Sequence, residues 1–121
     1  MAWRKYNKNP CGKSIGDCAV RAVSVALGLT WYQAFDLLCV EARHMCNLPS
    51  ADEVWGAVLT QNGFAKRAIH QVQTAEEFCK AHPDGVFVLA FGGHVATVVD
   101  GVLYDSWDSS HEIPIYYYRR V

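Results

Sequence analysis

Residues 86–107, VFVLAFGGHVATVVDGVLYDSW, decide the fold. β-Branched and aromatic residues dominate this stretch, and Gly92-Gly93 and Asp100-Gly101 break it into Val86–Phe91, His94–Val99 and Val102–Trp107. Such runs read as strands, and Asp-Gly between two of them is a two-residue hairpin signal. A two-residue turn fixes the register: Val99 faces Val102, Thr97 faces Tyr104, Ala96 faces Asp105 and His94 faces Trp107. Side chains alternate across a strand, so His94, Ala96, Asp105 and Trp107 are expected on one side of the sheet. Asp105 is then a diagonal neighbour of His94. Asp108 points to the other face of a straight strand, and a bulge would exchange the two carboxylates.

Working outward, Ile113–Arg119 reads as one more strand after the hairpin, while the chain before Gly85 changes period. Asp17 is placed to cap a helix from about Cys18 to Leu27, closed by Gly28, with an apolar face of Ala19, Val20, Val23, Ala26 and Leu27. Thr30 with Gln33 forms a capping box for a second helix reaching about Cys46. Ser50 with Glu53 does the same for a third, stopping at Asn62-Gly63. A short strand is expected at Ala65–Ile69, and Thr74 with Glu77 opens a fourth helix that cannot pass Pro83. The first residues, to about Gly16, read as an irregular arm. Helices first and an antiparallel sheet last make an α+β layout, with the helices on one face of the sheet.

At 121 residues, 51% hydrophobic and 19% charged, the chain is one globular domain spanning 1–121. The net charge is −1 and the basic residues are scattered, which argues against nucleic acid as a partner. No apolar run follows Met1-Ala2-Trp3-Arg4-Lys5, and none reaches membrane-spanning length, so no membrane association is expected and the cytoplasm is the expected location. There the five cysteines would be reduced; an odd count fits thiols better than a disulfide frame.

Cys18 stands at the first turn of a helix, where unpaired N–H groups and the dipole favour thiolate over thiol. Taken alone it reads first as a small buried hydrophobe, as most cysteines are. His94 is the partner that changes this, because it opens a strand after two glycines and has Asp105 beside it. Nucleophile, base and orienting carboxylate are the three roles of acyl transfer through a thiol. Trp107 would shield the His–Asp pair from water or serve as an ordinary sheet aromatic. Arg21 follows Asp17 by one helical turn, the spacing of a local ion pair.

Gly16-Asp17-Cys18 on a helix, a strand beginning Gly93-His94-Val95, and Asp105 on the next strand together resemble the papain-like fold. The pattern is most similar to the compact bacterial peptidases that process bacteriocin leaders, in which an Asp commonly precedes the catalytic Cys. It also resembles a group of small, largely uncharacterised proteins of phages and Gram-positive bacteria, at Asn7-Lys8-Asn9-Pro10, Gly16-Asp17-Cys18, His94-Val95 and Tyr104-Asp105-Ser106-Trp107-Asp108. The resemblance implies a cysteine peptidase or related amide hydrolase without a cofactor, acting on a peptide or protein, with Cys18, His94 and Asp105 as triad. One departure is plain. The peptidases carry a Gln ahead of the Cys as oxyanion donor, where this chain has Cys11-Gly12-Lys13-Ser14. The expected substitute is the Cys18 N–H with an amide from Asn7 or Asn9, both of which also read as turn residues before Pro10.

Cys39, His44, Cys46, Cys79 and His82 lack the paired spacing of a zinc site, so no metal is expected. Tyr116-Tyr117-Tyr118 lacks the basic interleaving of a base-stacking platform. The rival reading is a catalytically inactive papain-fold binding or accessory protein of phage origin.

Overall fold

The computed structural model describes residues 2–121. Chain order is β1 (Trp3–Lys5), α1 (Cys18–Leu27), α2 (Trp31–Met45), α3 (Asp52–Gln61), β2 (Phe64–Ala68), α4 (Ala75–Ala81), β3 (Val86–Phe91), β4 (His94–Val99), β5 (Val102–Asp105) and β6 (Tyr116–Arg120). The strands form one six-stranded sheet in the order β1-β5-β4-β3-β6-β2. The class is α+β. The hairpin register follows from the Asp100-Gly101 turn, with Val99 paired to Val102 and Thr97 to Tyr104. Both turn residues take positive φ, 48° at Asp100 and 77° at Gly101, as a tight turn matched to strand twist requires.

Three features depart from the sequence reading. The sheet is mixed, because β1 pairs with β5 in parallel; the arm that reads as irregular begins with this three-residue edge strand. A strand so short carries no alternation to detect. The helices also occupy both faces. Val88, Ala90 and Val95 pack with α1, α2 and α3, whereas Phe87, Leu89, Phe91, Ala96 and Val98 pack with Phe78 and Cys79 of α4. Both faces of β3 are apolar, so both need a cover. Finally, the last strand starts at Tyr116, β5 ends at Asp105, and α3 is capped at Ala51 without a side-chain bond, so Ser50 plays no capping role.

The boxes at Thr30–Gln33 and Thr74–Glu77 are both formed, each closing two otherwise unpaired N–H groups. Gly28 ends α1 in the left-handed region, φ 66°, and its N–H reaches the Ser24 carbonyl. Fully buried Leu38, Leu59, Phe78 and Leu89 anchor the two cores, each contributing about 1.5–3 kcal/mol of burial. Helix α1 is tied to the sheet by a polar contact as well: the buried Thr97 hydroxyl donates to the Ala22 carbonyl at 2.8 Å. Among the described residues, no single helix is long and apolar enough to cross a membrane.

Candidate active site

The first turn of α1 lies beside the start of β4, so Cys18 and His94 line one cleft of about 270 Å³, with Gly16, Asp52, Trp55 and Val95 around them. Cys18 is half-buried and not in a disulfide. His94 Nε2 meets Asp105 Oδ2 at 2.6 Å, and the His94 side chain is 15% exposed against 1% for Asp105. With Nε2 so engaged, Nδ1 is the ring nitrogen left for the sulfur.

The electrostatics follow from burial and these contacts. Burial pushes the Cys18 thiol up. Hydrogen bonds from His94 and from the Val95 N–H outweigh it, and with the charges of His94 and Arg21 they hold the thiol below its ordinary value. Burial would push the His94 imidazole down, but its bonds to Asp105 and Cys18, and their negative charges, raise it to about 9. Burial likewise pushes the Asp105 carboxyl up, and bonds from His94 and Ser109, the His94 charge and the Ser106 N–H bring it below its ordinary value. All three shifts favour thiolate, imidazolium and carboxylate side by side.

Asp105 is fully satisfied. Oδ2 accepts from His94 and from the Ser109 hydroxyl at 2.5 Å; Oδ1 accepts from the Ser106 N–H at 2.8 Å and from Arg21 Nη2 at 3.3 Å. Asp108 is spent locally on the Ser110 N–H and hydroxyl, so it is not the carboxylate facing the imidazole. Trp107, 45% exposed, sets its ring 5.1 Å from that of His94.

Asn7 and Asn9 do not line the cleft that holds Cys18. Asn7 donates to the Lys13 carbonyl, and the Asn9 oxygen accepts from the Cys11 and Lys13 N–H groups, so both amides fold the arm's own turn. The α1 N-cap, Asp17, makes no capping bond; its carboxylate is turned to Arg21 and to Trp31 Nε1, 2.9 Å away. Sequence reasoning found the Asp17–Arg21 pair but missed Ser109, Trp31 and the reach of Arg21 to Asp105. Only the one-turn spacing of Asp17 and Arg21 signalled any of them.

No family model, no curated protein and no solved structure matches the chain. The chemistry therefore rests on the site itself. Among the described residues, no group of three or more His, Cys, Asp or Glu side chains is arranged to hold a metal ion. Cys79 is buried in α4, where burial pushes its thiol up to about 11, the opposite of Cys18. Past Gly16 and Ser50 the cleft continues into an apolar groove of about 260 Å³, walled by Ile15, Val20, Trp31, Phe35 and Pro49.

Proposed function

We propose that this chain is a papain-like cysteine hydrolase that cleaves or transfers an amide, isopeptide or thioester acyl group of a peptide or protein. The observation that carries the reading is His94, held at 2.6 Å by Asp105 through Nε2, lining the same cleft as Cys18. The order of elements, a helix-borne thiol followed by a strand-borne imidazole and carboxylate, supports the same family.

In this reading Cys18 Sγ attacks the acyl carbon and forms a C–S bond. The oxygen takes the negative charge at the start of α1, where the Cys18 N–H and the helix dipole stabilise it. Collapse breaks the bond to the leaving group, which receives the Nδ1 proton of His94. Neutral His94 then draws a proton from water, the hydroxide attacks the thioester, and the thiolate leaves. Asp105 stays ionised throughout and holds the ring in place. A chain extending along the groove beside Gly16 would present apolar side chains to Trp31 and Phe35.

One observation favours a second reading: the Asn7 amide N–H is spent on the Lys13 carbonyl and neither Asn7 nor Asn9 lines the cleft, so the Cys18 N–H is without the side-chain partner expected for the oxyanion. Loss of one donor costs ~10²–10³ in rate, which would suit a domain that binds a peptide without turning it over. A peptidyl acyloxymethyl ketone with an apolar side chain, followed by mass spectrometry, tests the first reading. Covalent labelling of Cys18 is expected, and none in folded Cys18→Ala or His94→Ala. A wild-type chain that stays unlabelled at Cys18 overturns it.

A further inference from the structure

Arg21 is a buried cation that the mechanism above does not use. Its residue is 6% exposed, on the second turn of α1, among Asp17 at 6% and Asp105 at 1%. The two ends of its guanidinium serve different carboxylates: Nη1 binds Asp17 Oδ1 and Nη2 reaches Asp105 Oδ1 at 3.3 Å. Asp17 is fixed from its far side by Trp31 Nε1. A run of alternating charge therefore leads from α2 into the cleft: Asp17, Arg21, Asp105, His94, Cys18.

We propose that Arg21, aimed by Asp17, is a positioning residue that keeps Asp105 ionised and facing His94, and so sets the pH at which Cys18 becomes nucleophilic. The inference rests on the thiol-hydrolase reading and adds to it a control outside the triad.

A carboxylate bonded to an imidazolium at 2.6 Å in a buried site has a cheap alternative, which is to take the proton and leave two neutral groups. His94 would then be a neutral imidazole, a far weaker acid toward a leaving group, and Cys18 would have no cation beside it. Arg21 opposes that transfer. A neutral Asp105 would leave the guanidinium facing one carboxylate with two ends to satisfy, and a guanidinium keeps its charge across the whole working range. Because Nη2 takes Oδ1 together with the Ser106 N–H, Oδ2 is the oxygen left for His94 and Ser109. The guanidinium charge also acts on the thiol directly, adding to the attractions that lower it.

The other charged groups near this run are few. Asp52 of α3 lines the cleft but is bonded to Trp55 Nε1 and the Tyr116 hydroxyl, and Lys5 of β1 is paired in register with Asp105 but is itself exposed. Neither touches an Asp105 oxygen. Among the described residues, Arg21 is the cation that does so besides His94.

The test is the pH profile of Cys18 alkylation by iodoacetamide in the wild type, Arg21→Gln and Arg21→Lys, resolved by peptide mass spectrometry with exposed Cys11 as internal reference. Arg21 touches Asp105 and not the sulfur; a cation at contact moves a carboxylate by about 1–3 units, and part of that reaches Cys18 through His94. In Arg21→Gln the acid limb of Cys18 is therefore expected about one unit higher, with the Cys11 profile unchanged. Arg21→Lys keeps a cation against the carboxylates, and with it the fold, even if Arg21→Gln unfolds. Its single ammonium cannot span both carboxylates, so its limb is expected between the other two. A wild-type limb in either folded variant overturns the inference. A wild-type Cys18 that titrates like Cys11 sinks the thiolate–imidazolium reading itself, and this inference with it.

Discussion

Replacing His94 by Gln leaves Asp105 a hydrogen-bond donor but takes the positive charge from beside Cys18. The hydrogen bond and the attraction from His94 are two of the influences that hold the thiol below its ordinary value, against burial that pushes it up. An opposite charge at contact is worth about 1–3 units, so the acid limb of Cys18 alkylation moves up by that much. Each unit upward cuts the thiolate fraction below the limb tenfold, and part is recovered because the thiolate of a less acidic thiol is a stronger nucleophile, leaving ~3-fold per unit. Iodoacetamide at about pH 6.5 should therefore modify Cys18 in the variant ~3- to 30-fold more slowly than in the wild type. The assay is peptide-resolved mass spectrometry over time, with Cys11, which is exposed, as a reference that should not change. Equal Cys18 rates in the two proteins, both following the Cys11 profile, would refute the reasoning.

Turnover, where a substrate is found, should follow a bell. Acylation needs a thiolate and a protonated imidazole together, so kcat/KM rises through the lowered Cys18 value and falls as His94 loses its proton at about 9. Asp105→Asn removes the first-named influence that raises His94, so the falling limb should move toward the ordinary histidine value, with activity down ~10²–10⁴-fold. The same change leaves a buried Arg21 facing one carboxylate, and urea unfolding should show a loss of about 3–5 kcal/mol. Thr97→Val deletes the hydroxyl that ties α1 to β4, and denaturant titration should show a loss of about 0.5–1.5 kcal/mol with the Cys18 alkylation profile kept.

What the sequence makes legible is local. Asp100-Gly101 sets the register of β4 and β5, and that register puts Asp105 within reach of His94, because a tight turn permits only one pairing. The boxes at Thr30 and Thr74 mark helix starts for the same reason: four consecutive residues contain the whole motif. What could not be read depends on distant partners. The bond between Arg21 and Asp105 joins positions 84 apart, and no spacing rule reports it. Asp17 in front of the helix looks like a cap, yet its carboxylate is more strongly served by a guanidinium and an indole N–H. Placement of α4 on the opposite face follows from apolar residues on both sides of β3, which a continuous hydrophobic run conceals. Asn7 and Asn9 show the same ambiguity, since an amide suited to an oxyanion suits an Asx turn equally well.

The most direct measurement is the protonation of the His94 ring, followed by ¹⁵N NMR in the wild type and in Cys18→Ala. At about pH 7.5, well above the ordinary histidine value, the wild-type ring should carry protons on both nitrogens and titrate only near 9, and removing the sulfur should draw that titration down. A ring that is already neutral there, with the same titration whether or not Cys18 is present, would contradict a thiolate–imidazolium pair.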